Sequence, residues 1–329
     1  WLWERAKGSK LSKGEIGELE DFRKLMVDKK VSVSGRTLWL GGTEIAKKRE
    51  ASQFNCAGTV VETVYDIVDV LWLLMQGTGV GFKPTVGIVR STRTTKGGSE
   101  VNTESWDKDT KTWTITVGDS AEAWAKSIGK LLAGKYPANK LVLDFSELRP
   151  AGERLKGYGW ISSGDSAIAK AYEAIAVIMN KKAGQLLSKM DILDVVNWLG
   201  TILSSRRSAQ IALFEYNQPE WEEFALAKRE YWIENEQRVQ SNNSLLFFTK
   251  PSKLEMQKIF KLMEEGGGSE PAFINAEEAL RRAPWFKTCN PCVEILLANK
   301  SFCNLVEVDI AKFRGDTSGL LEALRLAAR

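Results

Sequence analysis

Residues 65–76 (YDIVDVLWLLMQ) run directly into Gly77-Thr78-Gly79-Val80-Gly81-Phe82, and this junction decides the fold class. The first stretch is strongly apolar and of helix length, and the second reads as a glycine-rich strand. Residues 52–64 before them are β-like, so strand, helix and strand follow one another. The pattern repeats downstream. Residues 112–117 (TWTITV) alternate as a half-buried strand should. Asp119-Ser120-Ala121-Glu122 resembles a capping box opening a helix to about Leu132. Residues 141–145 (LVLDF), 208–213, 244–249 and 292–297 are further strand candidates; 166–180, 191–203, 219–227 and 251–265 are helix candidates. Helices recurring between short apolar strands argue for an α/β architecture. The strands around Cys56, Gly79, Leu143, Ala209, Leu246 and Cys292 are expected to share one sheet, barrel-like or open. Residues 1–50 read as a helical region, in which residues 15–26 space apolar residues at helical intervals, and 51–329 as the α/β unit.

Composition narrows the chemistry. Of 329 residues 43% are hydrophobic and 27% charged, enough for a sizeable core. The net charge of +4 is too weak a bias to argue for a nucleic-acid or membrane surface. No apolar run reaches the roughly 18 residues of a membrane span, and Trp1-Leu2-Trp3-Glu4-Arg5 has no signal-peptide core. The expectation is a soluble, cytoplasmic protein. His is 0, so no Ser-His-Asp triad, Cys-His dyad or His-metal site can come from this chain alone. Acid-base work falls to carboxylates, Lys, Tyr or Cys.

The four cysteines are Cys56, Cys289, Cys292 and Cys303, three of them within 15 residues. In Thr288-Cys289-Asn290-Pro291-Cys292-Val293-Glu294-Ile295 the Cys-x-x-Cys spacing suits a redox pair or half a zinc site. All four together would formally complete a four-cysteine zinc site, and buried structural thiols are a third reading. On a strand, Asn290, Cys292 and Glu294 would project to one face. A carboxylate is costly on a core face unless paired, and reasonable on a catalytic one.

Asn290-Pro291-Cys292-Val293-Glu294-Ile295, followed by Ser301-Phe302-Cys303-Asn304-Leu305-Val306-Glu307-Val308, resembles the active-site signature of the ribonucleotide reductases. Other segments fall in that family's order. They are Gly35-Arg36-Thr37-Leu38-Trp39 with Gly41-Gly42-Thr43, Arg149-Pro150-Ala151-Gly152, and Lys156-Gly157-Tyr158-Gly159 with Ser162-Ser163-Gly164. Asn180-Lys181-Lys182-Ala183-Gly184, Arg206-Arg207-Ser208-Ala209 and Ser241-Asn242-Asn243-Ser244 follow in turn. The resemblance covers about residues 30 to 310 and is greatest to the adenosylcobalamin-dependent (class II) ribonucleoside-triphosphate reductases. Ser204-Ser205, Trp160 and Ser269-Glu270-Pro271-Ala272 depart locally from the family pattern.

The resemblance implies the N-terminal half of a ten-stranded α/β barrel preceded by a short helical region. It implies that Cys292 becomes a thiyl radical and abstracts the ribose 3′-hydrogen, while Cys303 and Cys56 reduce the 2′-position. Glu294 is expected to take the 3′-hydroxyl proton and Asn290 to hold the ribose hydroxyls. Asn55, Thr78 and Gly79 are expected at the substrate, with close packing as the other reading of the glycines. Arg238, Gln240 and Asn242 resemble the loop that relays effector identity, or form an ordinary polar turn. Cys289 has no counterpart in the motif and is expected to be structural.

The implied cofactor is adenosylcobalamin (cobalt), with a deoxynucleoside triphosphate effector and no protein-held metal. The implied partners are a ribonucleotide substrate, a thioredoxin-like reductant and a second chain or continuation carrying the C-terminal half. A split or intein-interrupted gene, as in phage genomes, would produce such a piece, placing it in a bacterial or host cytoplasm. Residues 91–118 fall where monomeric class II enzymes carry an insertion that imitates a dimer partner, leaving a homodimer open. Two rivals stand beside this reading: a class I catalytic chain served by a metal-bearing subunit, and a binding module stabilised by zinc on the four cysteines. A third is an inert remnant retaining the fold.

Overall fold

The computed structural model describes residues 11–89, 102–155, 161–203 and 209–329. The Lys156-Gly157-Tyr158-Gly159 motif, Trp160, Ser204-Ser205 and Arg206-Arg207-Ser208 lie outside them, as do residues 90–101. Among the described residues the main helices are α1 (Lys13–Val27), α2 (Val64–Met75), α3 (Ala121–Ala133), α4 (Ser166–Lys181), α5 (Lys189–Thr201), α6 (Lys253–Gly266), α7 (Ala276–Arg282) and α8 (Thr317–Ala328). None is long and apolar enough to cross a membrane. The chain divides into two compact units, Cys56–Phe302 and a second built from Trp1–Asn55 with Cys303–Arg329.

In the larger unit β2 (Cys56–Thr63), β3 (Gly79–Val89), β7 (Gln210–Glu215), β8 (Ser241–Phe247) and β9 (Ala272–Asn275) lie side by side, each parallel to the next. With β12 (Ser301–Cys303) the sheet order is β12-β2-β3-β7-β8-β9. Parallel strands buried on both faces need apolar residues at successive positions, which Gln210–Glu215 supplies with five buried residues in six. On one face α2, α4 and α5 pack Ile67, Leu71, Ile175, Leu193 and Val196 against Val80, Phe82, Ala212 and Leu245. On the other, Ile211, Leu213, Leu246 and Ile274 meet α7 and the segment that carries the cysteines.

Between β3 and β7 the chain makes a separate three-stranded sheet. There β4 (Asn102–Asp107) is antiparallel to β5 (Thr112–Val117), which is parallel to β6 (Lys140–Asp144). Leu143 therefore does not join the main sheet as expected. It pairs with Ile115 and shares a local core with Trp113, Ile115 and Val117, which satisfies its apolar face there. The N-cap of α3 is Ser120, whose hydroxyl accepts from the Ala123 amide at 3.1 Å. Asp119 stands one residue outside the helix and pairs with Arg149 at 2.8 Å, and the N3 residue is Ala123, so the box expected from Asp119 to Glu122 does not form and Ser120 caps alone.

The smaller unit pairs β1 (Val31–Val33) with β13 (Val306–Val308). Its core is Val31, Phe313 and Ala323, with Phe22, Leu25 and Leu320 packed around. Helix α1 opens on a Ser12–Glu15 capping box, and its Glu18 receives Arg325 of α8 and Arg329 just after it.

Candidate active site

The cysteine signature does not form a strand through Cys292. It forms a hairpin: β10 (Thr288–Cys289) and β11 (Leu296–Leu297) pair antiparallel, and residues 290–295 turn between them. The reason is local. Pro291 has no N–H to give a ladder and its fixed φ suits the second position of a turn. The Val293 amide closes that turn on the Asn290 carbonyl at 3.0 Å. Asn290 does the rest: its Oδ1 accepts the Ile295 amide at 3.0 Å, and its own N–H reaches the Ile295 carbonyl at 3.4 Å. Val293 is held at φ 74°, a costly conformation for a β-branched residue. Asn290, Cys292 and Glu294 are thus brought together by a turn and do not share a strand face.

Their environments differ. Cys292 and Glu294 are exposed at the tip, whereas Asn290 is 1% exposed. Among the described residues the Asn290 amide nitrogen is buried without a partner while its oxygen is spent on the turn. A buried, unused donor costs free energy unless something accepts from it. Cys289 points the other way, into the Ile211, Leu213 and Ile274 cluster. Burial, with the Glu294 carboxylate adding to it, pushes its thiol up to about 12, which leaves it neutral and inert.

Glycines let the hairpin lie on the sheet. A Cβ at Gly81 would stand 2.9 Å from the Cys289 carbonyl carbon, and one at Gly58 would stand 2.9 Å from Thr288 Cβ. At Gly79 a Cβ would meet Pro291 Cγ at 3.0 Å and the Cys56 sulfur at 3.6 Å. Gly79 and Cys56 are register partners at the starts of β3 and β2, so Cys56 and the turn before Cys292 converge over Gly79. The close approach visible at these glycines is that of the hairpin itself. Thr78, fully buried, gives its amide to Leu73 O at 3.0 Å.

Downstream of β11 the chain is pinned again. The Asn299 side chain accepts the Val60 amide at 2.8 Å, and Lys300 reaches Asp66 at 2.7 Å and Asp69 at 3.2 Å. Burial pushes the Asp66 carboxyl up, but Lys300, the Glu62 and Thr63 amides and the Thr63 hydroxyl outweigh it and hold it below the usual carboxylate range. In the smaller unit Asn55 donates its amide to Cys303 O at 3.0 Å and accepts Leu305 N–H on Oδ1 at 3.1 Å. Cys303 itself is buried.

A family model described as the insertion domain of B12-dependent ribonucleotide reductase matches residues 90–179. The adenosylcobalamin-dependent ribonucleoside-triphosphate reductase of Lactobacillus gasseri is 28% identical over 378 residues, covering 95% of this chain and 50% of that protein. The protein of the same name from Euglena gracilis is 27% identical, covering 88% and 40%. A crystal structure of a B12-dependent (class II) ribonucleotide reductase matches 98% of this chain with TM-score 0.74, at 21% identity and over 52% of its own length. In sequence and fold this chain is similar to the class II ribonucleotide reductases. It spans about half the length of the curated relatives it matches.

The segment resembling the reductases' effector relay is a 3-10 helix, Glu236–Gln240, leading into β8. Arg238 makes a two-pronged pair with Asp194 of α5 at 2.7 and 2.8 Å, and Gln237 joins the same carboxylate at 2.8 Å. Gln240 lies against Gly200 of α5, where its Oε1 would stand 3.1 Å from an added Cβ. Asn242 donates to Pro291 O at 3.4 Å. Among the described residues no three Cys, Asp or Glu side chains gather as metal ligands, so the four-cysteine zinc site is not formed. Cys289 turns into the apolar core instead.

Sequence reasoning missed Gly58, Asn299, Lys300 and Asp66. Only Asp66 carried a local signal, as the third helical residue after Thr63 in a capping box. The others act on partners far along the chain.

Proposed function

We propose that this chain is the cysteine-bearing part of a ribonucleotide reductase that makes deoxyribonucleotides by thiyl-radical chemistry. The observation that carries the reading is the hairpin tip. It presents an exposed Cys292 and Glu294 beside a buried Asn290 whose amide nitrogen has no partner among the described residues. An alcohol oxygen of a ribose satisfies that donor. The names of the curated relatives favour a ribonucleoside triphosphate as substrate and adenosylcobalamin as cofactor.

Adenosylcobalamin, when bound, supplies the radical that removes a hydrogen atom from a thiol. The group of this chain that suits it is Cys292, exposed at the tip of a turn that Asn290 ties at Val293 and Ile295. Cys292, as a thiyl, takes the ribose 3′-hydrogen. Glu294 accepts the 3′-hydroxyl proton, a task a carboxylate performs in a closed site without histidine. Asn290 orients the hydroxyls through its nitrogen. The 2′-hydroxyl leaves as water on a proton from one thiol of the Cys56 and Cys303 pair, and the hydrogen of the other thiol goes to the 2′-carbon. The pair, having given two electrons, ends as a disulfide while Glu294 returns its proton to the 3′-oxygen. The same 3′-hydrogen then returns from Cys292.

Asn55, Thr78 and Gly79 are assigned to the substrate's surroundings, and Arg238, Gln240 and Asn242 to effector response. The rest of a ten-stranded barrel, from a continuation or a second chain, supplies the remaining wall, and a thioredoxin-like dithiol restores the pair. The test is anaerobic CTP and CDP reduction with adenosylcobalamin and a dithiol, with and without the remaining half. Deoxynucleotide that depends on the cofactor and disappears in Cys292→Ser is the expected result. Product from Cys292→Ser, or none from the complete assembly, overturns the reading.

A further inference from the structure

The Cys292 turn is tied to α5 by a run of polar side chains that neither the reductive chemistry nor the core requires. On α5, Asp194 holds Arg238 and Gln237, and Asn197, three residues on, donates to Gln210 Oε1 at 2.9 Å and Ser241 Oγ at 3.1 Å. Ser241 Oγ passes a bond to Asn243 Oδ1 at 2.9 Å, and Lys228 grips the Ser241 carbonyl at 2.6 Å while pairing with Glu270 at 2.8 Å. Asn197, Gln210, Ser241 and Asn243 are each at most 2% exposed. Such a network rigidifies what it joins because each member lacks water as an alternative partner.

Alternation along β8 puts Asn242 on the opposite face from Ser241 and Asn243. That face carries the hairpin. There Asn242 donates through Nδ2 to the carbonyl of Pro291, one residue before Cys292. The bond is long at 3.4 Å, but its donor is set by neighbours on both sides that cannot move independently of α5. The turn it meets is closed by bonds of the Val293 amide and of the Ile295 amide and carbonyl to Asn290, and it contains the Val293 backbone at φ 74°. Releasing Pro291 gives that conformation a way to relax.

We infer that Asn242 is a positioning residue for Cys292, fixing the turn through the Pro291 carbonyl and coupling it to the Arg238–Asp194 anchor on α5. This rests on the reading of Cys292 as the radical cysteine only for its consequence in turnover. The positional claim stands on the bonds alone.

The test uses the full chain with Asn242→Asp, which keeps the shape and removes the donor, and Asn242→Gln, which keeps the donor on a longer arm. Site-resolved hydrogen exchange at Val293 and Ile295 and the alkylation rate of Cys292 by iodoacetamide are measured beside exchange in β3 and β7. Loss of one hydrogen bond corresponds to roughly a two- to tenfold change. Asn242→Asp is expected to speed exchange at 293 and 295, and to change the Cys292 alkylation rate, by about that factor. Asn242→Gln should fall closer to the native chain, with β3 and β7 unchanged. No change at 293 and 295, or equal acceleration throughout β3 and β7, overturns the inference. Its failure is separable from that of the proposed function: reduction lost in Cys292→Ser but an unaltered turn in Asn242→Asp rejects this inference alone.

Discussion

Replacing Gly81 by alanine places a methyl group where the hairpin backbone already lies. The new Cβ would be 2.9 Å from the Cys289 carbonyl carbon and closer still to its oxygen, with Ile211 Cγ2 at 3.1 Å. Ordinary contact begins near 3.4 Å, so the carbonyl carbon has to retreat by about half an ångström or more, and the oxygen further. The obstacle is backbone in a paired strand, which no rotamer change removes. Overpacking of this kind costs about 1–3 kcal/mol. Because Cys289 lies three residues before Cys292, the shift also reaches the turn. Gly58→Ala is the informative companion, since its obstacle is the Thr288 side chain, with Cβ at 2.9 Å. Thr288→Gly should restore most of the stability lost in Gly58→Ala, yet do nothing for Gly81→Ala. Urea unfolding gives the stabilities, and site-resolved alkylation of Cys292 reports the turn. A Gly81→Ala chain with native stability and native Cys292 reactivity would refute the hairpin's seating on β3. Equal rescue of both variants by Thr288→Gly would refute the distinction between the two contacts.

Other outcomes follow from the same geometry. Asn290→Asp keeps the acceptor for the Ile295 amide and loses the unpartnered donor, so the fold should persist by circular dichroism while nucleotide reduction is lost; Asn290→Ala should also loosen the turn by about 1 kcal/mol. The thiol of Cys289, pushed up to about 12, is on the order of one part in ten thousand thiolate at pH 8, so iodoacetamide mapping there should label Cys292 and spare Cys289 in the folded chain. The lowered Asp66 carboxyl gives stability that is present above its unfolded value of about 3.9 and lost as pH falls through the folded value. Urea midpoints between pH 7 and pH 3 should therefore show an acid-labile part that Asp66→Asn lacks. Lys300→Met, at a half-exposed cation, should cost about 1 kcal/mol or less at pH 7.

The alternation of helices and strands was legible because its signals are local. Residues 112–117 alternate and form β5 over the same span, and Ser252 with Glu255 caps α6 as a box. The candidate site residues stand out in the sequence as a motif, but their arrangement does not. A two-residue period around Cys292 predicts a strand face, and Pro291 with the Asn290 side chain makes a turn instead. The strand at Leu143 was misassigned to the main sheet because an apolar run does not state its partner; its neighbour is β5. The glycines at 58 and 81 were unreadable for the same reason. What they make room for, Thr288 and Cys289, lies more than 200 positions away. Lys300 and Asn299 carry no local signal, because their partners are Asp66 and Asp69 of α2 and the Val60 amide of β2.

The central claim is that Cys292 takes the ribose 3′-hydrogen and returns it. Anaerobic reduction of CTP carrying deuterium at the 3′-position, with adenosylcobalamin, a dithiol and the remaining half of the fold, tests it directly. The account predicts slower turnover than with unlabelled CTP, deuterium retained at the 3′-carbon of the product, and no product from Cys292→Ser. Product formed by Cys292→Ser, or reduction without any isotope effect and with the 3′-deuterium lost to solvent, would contradict it.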